Sequence, residues 1–303
     1  SVAAVNATLQ TMNINSNTVD VTGTGISLSN VGLLTERAQV LSNTISGGSY
    51  GLVLNEGYYQ VANNTITGTG YKVQIQGTTD VSYGVNPIDW TTGYSGIGVT
   101  GSITKDTVWS MQNNLGRPYV ITGYVTVNVG STLRIEPGTV VKFARSNSGI
   151  NVYGTLDAQG LTPGGTPGGA LERIYFTSLY DDTIGGDTNG DNAVSQPNAG
   201  YWRYVNFSGG GSTDSIIDNA EFRYGGYLGS SMVNANGSSP TIRNSFFKTA
   251  QSWAVQYVNP LGPNTSFTNN KITGVNGLSV AAVNATLQTM NINSNTVDVT
   301  GTG

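Results

Sequence analysis

The sequence predicts an all-β chain wound as one continuous three-sided solenoid, residues 1–303, with about 21–26 residues per coil and loop insertions. Three observations predict it: a recurring Asn tripeptide, short alternating apolar runs, and a second ladder of alignable segments near the middle. The tripeptide reads NTV at Asn17, NTI at Asn43 and Asn64, NSF at Asn244, NKI at Asn270 and NTV at Asn295, with Asn219 of DNAEF in the same series. Intervals are 26 (17 to 43) and 21 (43 to 64), then 25 (219 to 244), 26 (244 to 270) and 25 (270 to 295). A period of this size is one coil of a parallel solenoid.

Residues 1–80 carry the first coils. VDVTGTGISLS, YGLVLNE and YKVQIQG alternate apolar and polar residues between Gly, Asn and Ser, the pattern of short strands and turns. One stretch, Val31–Leu41, has a helix-like spacing, with a strand pair as the alternative. The series Asn17, Asn43, Asn64, Asn219, Asn244, Asn270 and Asn295 is expected to be a structural asparagine ladder at a tight turn, where the side-chain amide bonds neighbouring backbone and αL geometry is tolerated.

Residues 81–116 fit the coil pattern worst and are expected to form an irregular excursion. Residues 117–178 resume it. NVGSTLRI (Asn128–Ile135) and NVYGTLDA (Asn151–Ala158) align with an offset of 23, matching Val129 to Val152 and Leu133 to Leu156. TVVKF and RIYF supply a third strand per coil, and QGLTPGGTPGG (159–169) is the loop that leaves the coil between them. An acidic Gly/Asp/Asn loop occupies 179–200, and coils fill 201–303.

Composition excludes whole classes of function. Cys and His are both absent, which removes disulfides, thiolate metal sites and Ser-His-Asp, Cys-His or HExxH chemistry. With 13 basic and 17 acidic residues the net charge is −4, and no basic stripe is available for nucleic acid. No apolar run approaches the roughly 18 residues of a membrane span. The first residue is Ser and no leader follows it, so a processed protein or a window of a longer one is expected.

Arg117–Phe143, followed by Ile150–Gly160 and Arg173–Ser178, resembles the right-handed parallel β-helix repeat proteins of prokaryotic cell surfaces. The resemblance covers roughly residues 117–250 and implies right-handed coils in an elongated, extracellular, non-enzymatic protein of adhesin or filament type. Pectin lyases and polygalacturonases share that fold. A polygalacturonase-like site needs a His that this chain lacks, and a lyase-like site needs a Ca²⁺ carboxylate cluster beside a basic residue on the coil face. No enzymatic activity is therefore expected.

DDTIGGDTNGDN (Asp181–Asn192) is the sharpest chemical feature. Asp187, Asn189 and Asp191 stand at alternate positions, the start of a D-x-[DN]-x-[DN]-G calcium loop, and converge three oxygens on one hard cation. Asn192 replaces the usual Gly and the distal Glu is missing, so this is not an EF-hand; Asp181 or Asp182 is expected to complete the set around Ca²⁺. Trp90, Trp109, Trp202 and Trp253 share no spacing and read as packing residues rather than sugar platforms. Sequons stand at Asn6, Asn63, Asn206, Asn236, Asn264 and Asn284, mostly by chance in so Asn-rich a chain. NATLQT suggests the Thr rows of ice-binding solenoids, but no regular Thr column aligns across three coils.

Residues 279–303 repeat 1–25 letter for letter, a period of 278. Identity over one coil length predicts near-identical 278-residue repeats in one solenoid, with Asn17 and Asn295 as the same rung. At about 24 residues per coil, 278 residues make roughly eleven coils and, at about 4.8 Å each, an axial repeat near 50 Å. The expected partners are copies of the chain, end to end. The expected role is an extracellular filament, sheath or surface fibre, with a glycan-binding adhesin as the alternative.

Overall fold

A computed structural model of the chain describes residues 12–160, 172–261, 265–274, 276–281 and 290–303. Among them every strand pairing is parallel, and helix is confined to short 3-10 turns, as at Gln112–Asn114, Gly210–Ser212 and Tyr227–Gly229. The protein is a parallel β-solenoid. Each coil lays down three short strands, and the same strand of the next coil pairs onto it, so the molecule has three faces.

The chain runs from face one to face two to face three and back. Face one begins with Thr18–Asp20, Thr44–Ser46 and Thr65–Thr67 and ends with Thr241–Arg243, Ser266–Thr268 and Asn291–Asn293. Face two begins with Thr24–Val31 and ends with Phe246–Lys248, Lys271–Gly274 and Thr296–Val299. Face three begins with Asn13–Asn15 and Ala38–Leu41 and ends with Trp253–Val258 and Asn276–Ala281. The two 13-residue strands Tyr50–Ala62 and Tyr71–Tyr83 bend across the corner between faces two and three, which joins those faces into one sheet.

Alternation decides which residues enter the prism. On face one Ile217, Ile242 and Phe267 stack in register and are fully buried. On face two Phe176, Phe222 and Phe247 stack with ring centroids 4.5 Å and 5.1 Å apart. The stacks are continuous because the strand spacing of about 4.8 Å is close to an aromatic stacking distance.

Several expectations are corrected here. The helix-like stretch 31–41 ends one strand at Val31 and forms another at Ala38–Leu41. Residues 81–116 are not an excursion: they finish Tyr71–Tyr83, bridge Ile88 to Ile66 on face one, and supply Ile97–Ile103 and Thr107–Trp109. What disguised this coil is its one-bridge pass across face one. Leu133 does pair with Leu156, but Val152 pairs with Val127, while Val129 is 76% exposed in a wider turn. Most of the loop at 159–169 lies outside the described residues.

The Asn series divides into two ladders at different corners. At the corner from face three to face one, Asn17 Nδ2 donates to Asn43 Oδ1 at 2.9 Å, and Asn43 Nδ2 to Asn64 Oδ1 at 2.9 Å. Asn64 Nδ2 continues the ladder to Asn86 Oδ1 at 3.1 Å, a rung the tripeptide pattern misses because Pro87 follows it. At the corner from face one to face two, Asn270 Nδ2 donates to Asn295 Oδ1 at 3.2 Å, and the Ser245 N–H to Asn270 Oδ1 at 2.9 Å. Asn219 and Asn244 are not rungs of this inward ladder. They stand one residue earlier, at φ 49° and 54°, as do Ser16, Ser42 and Asn63 before their own rungs, at φ 57–58°. Asn244 is instead a rung of a parallel outer ladder, donating to Asp218 Oδ1 at 2.7 Å and accepting from Asn269 Nδ2 at 2.6 Å. The turn thus needs two residues in sequence, one that accepts αL and one whose side chain points inward to cap the next coil. Asn satisfies either requirement, which is why spacing alone mixes the two.

Candidate metal centre

The acidic loop leaves face two after Ile174–Ser178 and rejoins the coil at Val205–Ser208 on face three. It folds back over the outside of face two. There Lys142 Nζ donates to the carbonyls of Asp181 (3.0 Å) and Gly186 (2.7 Å), and Ser95 Oγ to that of Asp187 (2.9 Å). Lys142 is fully buried under the loop. Burial pushes its ammonium down to about 8, against the pull of Asp181, Asp182 and Asp187.

Asp187 and Asp191 shape the loop. Asp187 Oδ1 accepts the N–H of Gly190 at 2.7 Å and of Asp191 at 3.2 Å, and its Oδ2 that of Asn192 at 2.8 Å. Asp191 accepts the N–H groups of Val194 and Ser195, the Ser195 hydroxyl and the Asn189 amide. These bonds, the Ser195 hydroxyl foremost, hold its carboxyl below the usual carboxylate range.

Asp182 is different. Both its carboxylate oxygens are buried without a hydrogen-bond partner, and burial first, then the Asp187 charge, pushes its pKa up. One oxygen from each of Asp182, Asp187 and Asp191 lies within 4.8 Å of the others. Asn189 Oδ1 is buried and unpartnered as well. Of the five residues expected from sequence, Asp182, Asp187 and Asp191 meet here, and Asn189 adjoins them through its bond to Asp191. Asp181 does not: it is 1% exposed, its Oδ2 accepts the Thr177 hydroxyl at 2.6 Å and pairs with Arg223 at 3.4 Å. It ties the loop base to face two instead. Ser195 and Lys142, which sequence reasoning did not single out, complete the surroundings; neither stands in a recognisable spacing.

Chemically the cluster offers only oxygen donors, and three carboxylates this close repel one another unless a cation or a proton intervenes. Lys142 supplies part of the compensation. The donor set fits a hard cation with 6–8 oxygen ligands, the remainder being water and backbone carbonyls.

A second concavity of about 680 Å³ lies lower on the solenoid, lined in part by Glu56, Tyr58, Asp80, Lys105, Asp106 and Trp109. Two of its carboxylates are committed elsewhere: Asp80 to Arg37 at 2.8 Å and Asp106 to the Thr132 N–H at 2.8 Å. Arg37 and Lys105 flank the Tyr58 ring, 5.8 Å and 5.9 Å from its centroid. Trp109 and Trp202 are core residues, 3% and 0% exposed, and Trp90 packs against the core beneath Arg117. Of the sequons, Asn6, Asn264 and Asn284 lie outside the described residues.

Among the described residues no helix is long and apolar enough to cross a membrane. Comparison of the chain with protein-family models, with curated proteins and with solved structures finds no match.

Proposed function

We propose that the protein is a non-enzymatic structural component of an extracellular filament, sheath or surface fibre, built from β-helix repeats that continue end to end. The observation that carries this reading is the character of the coil at 291–303. It repeats the sequence of residues 13–25 and is laid down as a regular further coil, Asn291–Asn293 on Ser266–Thr268 and Thr296–Val299 on Lys271–Gly274. A repeat whose first coil also serves as its last lets one copy run on into the next, and a head-to-tail contact of this kind extends rather than closes. The acidic loop is part of the same proposal: Ca²⁺ bound by Asp182, Asp187, Asn189 and Asp191 would pin the longest described insertion to the wall. Light scattering and electron microscopy of the purified chain at rising concentration test the reading. Unbranched filaments with an axial period of roughly 50 Å are expected; a chain that stays monomeric at millimolar concentration refutes it.

A glycan-binding surface protein is the second reading, favoured by Tyr58 between two cations in the 680 Å³ concavity. It predicts glycan-array binding that Tyr58→Ala abolishes; an array without signal ends it.

A further inference from the structure

The two identical stretches do not occupy equivalent places. Asn13–Asn15 lies on face three, paired with Ala38–Leu41, whereas Asn291–Asn293, the same tripeptide, lies on face one, paired with Ser266–Thr268. Thr18–Asp20 is likewise on face one, and its counterpart within Thr296–Val299 on face two. Counting up face three from Asn13–Asn15 to Asn276–Ala281, with the step from Tyr71–Tyr83 to Ile97–Ile103 taken through the face-two pairing of Gln74 with Gly98, passes ten coils, and one further face reaches Asn291–Asn293. The 278-residue period is ten and one third turns.

From this we infer that the coil at 290–303 is a docking surface for the next copy of the same repeat, beginning at its Ile26, and that each copy is turned by one face, about 120°, from the one before. The inference rests on the filament reading and fixes its symmetry. The contact it needs is already present inside the chain. Against the first coil, Ile14 lies opposite Val40 and Val19 opposite Ile45, and both upper residues are fully buried. Ile292 and Val297, identical in sequence to Ile14 and Val19, stand 47% and 41% exposed. Val40 and Ile45 of a following copy cover them in the same register, strand on strand.

The third face agrees independently. The Gly277 N–H donates to the Thr302 carbonyl at 2.8 Å, and the Thr302 N–H to Asn276 Oδ1 at 3.0 Å, so Thr302 starts a strand over Asn276–Ala281. Thr302 corresponds to Thr24. Continuing in that register sets Ile26 of the next copy over Leu278 and its Leu28 over the exposed Val280. All three apolar residues exposed at this end therefore receive apolar partners from one copy in one register. A rotation of zero would lay face-three strands on face three and leave Ile292 and Val297 without these partners. A feature such as the acidic loop moves on by one face per copy, and returns to line after three copies, 31 coils, about 150 Å along the axis.

A two-copy protein, residues 1–303 followed directly by a second 26–303, tests the geometry. Cryo-electron microscopy is expected to show one straight rod whose two acidic loops stand about a third of a turn apart. Hydrogen exchange at Ile292 and Val297 is expected to slow more than about tenfold relative to the single chain. Val297→Asp is expected to lower the melting of the single chain only slightly, at its outermost coil, and to open a hinge in the two-copy rod. Acidic loops in line along one side, or unprotected amides at the seam, overturn the inference. A single chain that never assembles removes the filament reading but leaves this geometry standing, whereas filaments with whole-turn copies do the reverse.

Discussion

Removing one buried rung of the first ladder is the most direct test of what holds the coils in register. Asn64 is fully buried. Its Nδ2 donates to the carbonyls of Val40 at 2.7 Å and Ala62 at 3.1 Å, and its Oδ1 accepts the N–H of Asn43 at 3.0 Å and the Asn43 amide at 2.9 Å. Asn64→Ala strips these partners without admitting water to replace them. Two or three polar groups left unsatisfied, at about 1–3 kcal/mol each, put the loss at about 3–5 kcal/mol. Asn17, at an exposed position, makes only the donor half of this set, to the Asn15 carbonyl at 3.1 Å and Asn43 Oδ1 at 2.9 Å, so Asn17→Ala is expected to cost about 1 kcal/mol or less, because water takes over. A solenoid opens locally as readily as globally, so urea denaturation needs to be paired with hydrogen exchange at residues 38–67. The expected signature is faster exchange across the coils on both sides of Asn64, and little change for Asn17→Ala. Equal costs for the two variants would refute the view that burial, rather than the side-chain chain of amides itself, sets the strength of the ladder.

Three further outcomes follow from the same structure. Phe222, fully buried between Phe176 and Phe247, is expected to cost about 3–5 kcal/mol as Phe222→Ala; a loss below about 1 kcal/mol in urea melts would mean the coil collapses around the gap. Millimolar Ca²⁺ is expected to raise the melting temperature and Asp182→Asn to abolish the rise, an unchanged midpoint refuting the metal assignment. In chelator the sign reverses: Asp182 has a raised pKa, so its buried charge opposes folding, and Asp182→Asn is expected to stabilise the chain at neutral pH. Lys142 binds its proton less tightly folded than unfolded, so stability is expected to rise with pH between about 8 and its ordinary value near 10.4; Lys142→Met is expected to flatten that rise in pH-dependent melts.

The fold was legible because each coil repeats the same local requirements. An αL-tolerant residue, an inward polar cap and a few alternating apolar residues recur at 21–26 residues, and those are short-range properties that a sequence displays directly. The gathering of Asp187, Asn189 and Asp191 in one loop was legible from spacing alone, since they are turn formers acting on their neighbours. The place of Asp181 was not, because its partners, Thr177 and Arg223, are set by the stacking of face two and not by distance along the chain. Face identity is harder still. Whether Asn17 and Asn295 share a corner depends on every coil length between them, and these vary from 21 residues, Thr44 to Thr65, to 59, Asp157 to Ile216, where insertions intervene. A coil's length is free to change because loops leave the wall without disturbing the ladder, so residue counts carry almost no information about angle. Only pairing does. The one-third turn hidden in a 278-residue identity is thus a property of summed pairings, and it converts a sequence repeat that looks purely translational into a screw.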